Sequence, residues 1–375
     1  MEENIRDCPS CKKKVENNSR FCSSCGFKIP DNQTCSSNSE QGENTSESFV
    51  DNPKTITPRG VAIKLKLTDL IVNVFKKHTL EERENTFICG TALTSPKEDE
   101  ICSKWPKPWL YSRVFILFSI TFMGLVALLR IFQNVLAYPG VVFIGALIIP
   151  FSLLVFFWEV NAPRNINIFD VVKIFFLGGI SSLLITMILN RAITVSEVDF
   201  FGAIIIGIIE EVGKLIVVAY FSRGSKRKYI LNGLLLGAAV GAGFAVFETA
   251  GYVFAYGFEI HTMMRVIYTR GVLAFGGHIV WAAISGAALV MVKEDNRLRI
   301  RHLLNIKFLK YFITVIALHA IWDMPIYIGN DSNIPYVQAI LTILAWVIIL
   351  MLIGTGLKQI SGLTFSGKEK KGCNC

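Results

Sequence analysis

Glu210 and Glu211 are adjacent carboxylates in the middle of the apolar stretch 200–221, and Lys214 follows within one helical turn. At ~1.5 Å per residue that stretch is long enough to cross a bilayer. A charge at the bilayer centre costs roughly 2.5–3.5 kcal/mol even on the mildest insertion scales, so three in one turn require a reason. Three further apolar stretches carry polar groups of the same kind: Glu248, then Arg270 with His278, then His319 with Asp323 one turn further along the same face. A glutamate can act as general base and then as general acid, and imidazoles can bind a metal or polarise a carbonyl. Two or three carboxylates with two imidazoles therefore suit hydrolysis of a peptide bond. Taken alone they would equally suit proton-coupled transport. Structural ion pairs, Glu210 with Lys214 or Glu248 with Arg270, account for single members of the set more easily than for all of it.

Helices must carry these residues. The 375-residue chain is 52% hydrophobic, with a mean hydropathy of +0.48, but those averages join two unlike parts. Residues 1–110 are polar and hold most of the cysteines, whereas 111–357 alternates apolar blocks with short charged loops. Only helices and closed barrels satisfy every backbone group in lipid, and these blocks lack the alternation of barrel strands. The expected fold is an all-α polytopic membrane protein with about eight spans, at 114–132, 139–158, 169–189, 200–221, 230–254, 271–292, 311–328 and 335–357.

The net charge of +9 does not point to nucleic acid, because the basic residues gather in particular loops between spans. Residues 222–229 hold Arg223, Lys226, Arg227 and Lys228, and 293–310 hold six Lys or Arg, while 329–334 has none. Residues 1–30 are polar and contain no signal peptide. The positive-inside rule then places both termini in the cytosol of a multi-pass cell-membrane protein. Counting inward from the expected outer ends, Glu210, Glu211, Glu248, His278 and His319 share a layer roughly 9–17 Å deep, and Asp323 lies somewhat shallower.

Before the membrane, Cys8-Pro-Ser-Cys11 and Cys22-Ser-Ser-Cys25 offer four thiolates at the spacing of a structural zinc site, in a segment too short to fold on a hydrophobic core. Residues 1–30 are thus expected to form a zinc ribbon that docks a cytosolic partner. Residues 31–60, rich in Ser, Asn, Glu and Thr, form a flexible linker. Residues 61–110 are a cytosolic juxtamembrane segment, in which Thr79 and Glu82 form a capping box opening a helix. Trp105-Pro-Lys-Pro-Trp109 has the composition of an interfacial aromatic belt. The membrane domain is expected to occupy 111–357, and 358–375 to be a cytosolic tail.

The ordered motifs on these spans resemble the PrsW family of intramembrane proteases. Glu210-Glu211-x-x-Lys214 is similar to the family's EExxK, and Gly237-Ala238 through Gly243-Phe-Ala-x-x-Glu248 to its GA…GFAxxE. Arg270, His278 and Gly286 keep the family's spacing, His319-x-x-x-Asp323 matches HxxxD, and Phe175-Phe-Leu-Gly178 fits its third-span signature. Asn232-Gly233 stands where the family often has Asp-Gly, and Thr249 where it commonly has Asn. The resemblance implies an intramembrane endopeptidase cutting a single-span membrane protein, as the family's founding member cuts an anti-sigma factor. Glu210 or Glu211 would be the base. Glu248, His278 and His319 would bind a catalytic zinc or polarise the carbonyl, with Lys214, Arg270 and Asp323 in support. The alternatives are a proton-coupled transporter and a non-catalytic membrane sensor or scaffold.

Overall fold

The computed structural model describes residues 5–7, 14–16 and 67–365, apart from 92, 102–103, 194–198, 257–258 and 327–334. The chain divides into two units, Met1–Thr57 and Pro58–Cys375. In the first, β1 (Ile5–Asp7) pairs antiparallel with β2 (Lys14–Glu16), in the register Ile5 to Glu16 and Asp7 to Lys14. Cys8, Cys11, Cys22 and Cys25, and with them the expected structural zinc, lie outside the described residues, as do the loop 329–334 and the tail beyond Phe365.

The second unit is all-α. After α1 (Leu80–Phe87) come α2 (Leu110–Arg130) and α3 (Tyr138–Val160). Next, α4 (Ile168–Lys173) runs through a π turn at Ile174–Gly178 into α5 (Gly179–Ala192). The remaining helices are α6 (Phe200–Ser222), α7 (Ile230–Tyr256), α8 (Ile260–Leu273), α9 (His278–Lys293), α10 (Ile300–Leu303), α11 (Ile306–Asp323) and α12 (Tyr336–Phe365). Among the described residues, six segments are long and apolar enough to cross a membrane: α2, α3, α4–α5, α7, α8–α9 and α12. Helices α6 and α11 have 23 and 18 residues and carry three charged side chains each, those of α6 being Glu210, Glu211 and Lys214.

Helix α7 is the pillar. It is predominantly apolar around its whole circumference, and 94% of its most apolar 18-residue stretch is buried, against 11% for α2, which faces outward. It packs on α9 with almost no side chains between them: a Cβ at Gly237 would lie 2.0 Å from the Ala282 carbonyl oxygen, and one at Gly241 2.3 Å from that of His278. On its other side, a Cβ at Gly243 would lie 2.0 Å from the carbonyl oxygen of Phe175 in the π turn. Asn232 is completely buried and is held by amides alone, its Nδ2 donating to Asn161 Oδ1 (2.9 Å) and Asn165 Oδ1 (2.7 Å).

The sixth expected span differs from the single helix at 271–292. Its helical path starts earlier, at Ile260, and breaks at residues 274–277 between α8 and α9. The break is braced by α12: Trp346 Nε1 donates to the Phe275 carbonyl at 2.9 Å, and Gly276 lies so near Thr342 that no side chain would fit. Non-helical backbone at membrane depth is tolerated where protein or a cavity surrounds it.

The juxtamembrane segment folds back on the start of α2. Thr79 and Glu82 do form the capping box of α1. Glu159, at the end of α3, accepts from the backbone N–H groups of Trp109, Leu110 and Tyr111 at 2.7–2.9 Å, capping α2 from a distance. The tryptophans turn away from the expected outward belt. Trp105 is buried in the main core, and Trp109 stacks on His78 with ring centres 3.9 Å apart.

Candidate functional site

Helix α6 brings Glu210, Glu211 and Lys214 to the centre of the bundle because its glycines let neighbours close in. Gly207 faces the backbone of Ala320 on α11, and Gly213 faces Thr186 on α5. All three charged side chains are buried. Lys214 Nζ donates to Glu211 Oε1 at 2.7 Å, meets His278 Nδ1 at 2.9 Å and lies 3.5 Å from Glu210 Oε2. Its ammonium sits 4.4 Å from the ring centre of Phe244, a cation–π contact that keeps water off that side.

The two histidines come from opposite sides. His278 opens α9 immediately after the helix break; its Nε2 pairs with Glu248 Oε2 at 3.0 Å, and its Nδ1 lies 3.8 Å from Glu210 Oε2. Glu248 is also paired with Arg270 of α8, which reaches Thr249 Oγ1 at 3.3 Å and lies over the ring of Tyr252. His319 on α11 pairs through Nδ1 with Glu211 Oε1 at 2.8 Å. Its Nε2 lies 3.6 Å from Glu210 Oε2 and 3.4 Å from Asp323 Oδ2. The eight charged or titratable residues singled out from the membrane sequence thus form one connected cluster.

Adjacent in sequence, the two glutamates face different surroundings. Glu211 is 1% exposed and holds Lys214 and His319. Glu210 lines a cavity of about 210 Å³ together with Glu248, Arg270, His278, His319 and Asp323, and its buried Oε2 accepts no hydrogen bond. The volume has room for several waters, at ~30 Å³ each. Aromatic rings complete the walls. Trp281 stacks on His319 with centres 4.5 Å apart and meets Trp322 edge-on, and Tyr252 lies beneath Arg270. Trp281 and Tyr252 were legible in principle, lying one turn beyond His278 and Glu248 respectively. A larger hollow of about 580 Å³ between α2, α3 and α8 is lined almost wholly by apolar side chains and has no acid–base pair.

Could these residues hold a metal? One ligand atom from each of Glu210, His278 and His319 lies within 4.8 Å of the others. Each imidazole gives one ring nitrogen to a carboxylate, and the other lies within 4 Å of Glu210 Oε2, shared with Lys214 Nζ at His278 and with Asp323 at His319. This is how carboxylates orient metal-binding histidines. Two imidazoles and a carboxylate are a common zinc set, so the donor chemistry suits that ion. Lys214 Nζ, 2.9 Å from His278 Nδ1, would have to move aside before that nitrogen could bind it. The carboxylate grouped with the two imidazoles is Glu210, whereas the sequence pointed to Glu248, which here is committed to Arg270 and His278.

Residues 169–353, which include the whole cluster, match the model of the PrsW family of intramembrane metalloproteases. No curated protein and no solved structure matches the chain.

Proposed function

We propose, for a chain that belongs to the PrsW family of intramembrane proteases through residues 169–353, that Glu210 is the centre of a peptide-hydrolysing site within the bilayer. The observation that carries this is that Glu210, and not Glu211, lines the cavity, with a buried Oε2 that accepts no hydrogen bond within 4 Å of both oriented imidazoles. Glu210 stands near the middle of α6, about 15 Å from its start and about 18 Å from its end. With both termini cytosolic, as the basic loops favour, the cavity lies in the outer half of the membrane domain.

Hydrolysis needs water activated, the carbonyl polarised and the leaving amine protonated. Glu210 takes a proton from cavity water as its oxygen attacks the scissile carbonyl carbon, and returns that proton to the amine nitrogen as the C–N bond breaks. His319, as the imidazolium with its Nδ1–H donated to Glu211, presents Nε2–H to the carbonyl oxygen as that oxygen gains charge. The Arg270–Glu248 pair fixes the ring of His278. A zinc ion held by Glu210, His278 and His319 would supply Lewis acidity at the carbonyl. Glu248 and Asp323 are then the cavity carboxylates left to accept the proton. The substrate is a membrane protein; a single-span protein cleaved for regulation, such as an anti-sigma factor, suits a small cavity within the membrane domain. The cysteine module would recruit or sense through a cytosolic partner.

The test is cleavage of a co-expressed single-span protein identified by comparing membrane proteomes with and without Glu210→Gln. The substitution keeps the shape of the side chain and removes its charge and basicity. Cleavage falls by at least about 100-fold; undiminished cleavage would remove Glu210 from the chemistry. The helix break beside the cavity is also a feature of transporters. That reading requires proton flux in liposomes that Glu210→Gln abolishes while no peptide bond is cut.

A further inference from the structure

The juxtamembrane segment carries a second membrane-facing surface. Residues 67–77 are tied to the first turns of α2 at several points. Tyr111 Oη donates to the Leu70 carbonyl at 3.3 Å, Arg113 Nη2 to the Lys76 carbonyl at 3.1 Å, and Asn73 Nδ2 to the Lys107 carbonyl at 3.5 Å. Leu70 packs against the main core, and Asp69, Asn73 and Val74 are half-buried beside it. The opposite side is apolar and open: Leu67, Ile71, Val72 and Phe75 are exposed, Phe75 to 89%.

What covers this face is settled by its position. Helix α2 is a candidate membrane span that begins at Leu110, and its outward residues Phe115, Ile116 and Leu117 are themselves exposed apolar side chains. A segment bonded to Tyr111 and Arg113 therefore lies at the level where α2 enters lipid. Its apolar face continues that of the span. Lys76 and Lys77, both exposed, and Arg113 lie at the same end, so the face has a basic border matched to anionic headgroups. The inward turn of Trp105 and the stacking of Trp109 on His78 leave the anchoring role open to these residues.

We propose that residues 67–77 form an in-plane anchor, with Leu67, Ile71, Val72 and Phe75 inserted into the cytosolic leaflet and Lys76 and Lys77 at its phosphate level. On this reading residues 67–77, within the segment 61–110 expected to be cytosolic, sit at the membrane interface. The inference depends on α2 crossing the bilayer and not on the proteolytic chemistry.

The full-length protein carrying trifluoromethyl-phenylalanine in place of Phe75, reconstituted in nanodiscs containing phosphatidylglycerol, tests the proposal by ¹⁹F NMR. The substitution is nearly isosteric at an exposed position. A nitroxide near the top of the acyl chain should broaden the signal several-fold, while a water-soluble nickel chelate leaves it sharp. Broadening by the nickel chelate alone would show the face in water, and protection from both reagents would show it covered by protein; either result overturns the anchor. Lys76→Glu with Lys77→Glu should weaken the lipid-nitroxide effect in anionic nanodiscs. An unchanged effect would remove the headgroup contact from the proposal.

Discussion

At the scale of single residues, the charge balance of the site turns on Lys214, whose ammonium is shared by Glu211, Glu210 and His278. Lys214→Met would leave two neighbouring carboxylates buried without their cation. Breaking a buried pair by removing one partner costs about 3–5 kcal/mol, so the thermal transition in detergent should fall steeply and cleavage should be lost. Adding Glu211→Gln removes one of the stranded charges. The double variant should regain much of the stability, since nothing then demands the ammonium as strongly, and should still lack activity because His319 has lost its anchor. If the double variant were less stable than Lys214→Met alone, the ion pair would not be what holds this part of the bundle. The convergence of these residues was legible from depth counted along four apolar stretches. Which glutamate meets the cavity was not: adjacent residues lie about 100° apart around a helix, and only the rotation of α6 against α7, α9 and α11 decides between them. The same rotation brings Glu210 within reach of both imidazoles, while Glu248 pairs with His278.

Elements position this chemistry through backbone contact. His278 follows a break in the α8–α9 path, and its carbonyl is pressed against Gly241 of α7. Gly241→Ala would place a methyl group 2.3 Å from that oxygen, and neither helix backbone can yield without moving the other. Overpacking of this kind costs about 1–3 kcal/mol, and a displacement of His278 by a fraction of an ångström should lower the cleavage rate by one to two orders of magnitude. Gly251→Ala in the same helix is the control, since no atom lies within 4 Å of its added carbon; it should be neutral or slightly stabilising, by up to about 1 kcal/mol. Equal losses in both variants would mean that general helix disturbance, not the approach to His278, matters. The break was hidden in the sequence for a physical reason. Arg265 and Arg270 end the apolar run as hydropathy sees it, so the span is drawn from 271. In the fold Arg270 is carried inside α8 because Glu248 pairs with it, and the interruption falls instead at Gly276–Gly277, where α12 braces the open backbone.

For the whole molecule, the division at Thr57 and Pro58 makes metal accounting possible, because two metal sites are expected on different units. The all-α membrane unit was legible from its apolar blocks. The clasp between Glu159 and the start of α2 was not, since a carboxylate 48–50 residues away caps a helix whose own N-cap position, Trp109, offers no side-chain cap. The cysteine spacing points to one zinc on residues 1–30, and the donors Glu210, His278 and His319 would hold another in the membrane unit. The full-length protein should therefore contain about two zinc ions per chain by elemental analysis, and a version starting at residue 58 about one. His319→Ala in that shorter version should reduce the remainder to background, while the exposed His261→Ala leaves it intact. Treatment with a strong chelator should stop cleavage by the shorter version, and zinc should restore it. An active preparation of the shorter version with far less than one metal per chain would eliminate the metal. Glu210 would then be left as the group that activates water, with Lys214 Nζ occupying the side of His278 Nδ1 that a ligand would otherwise need.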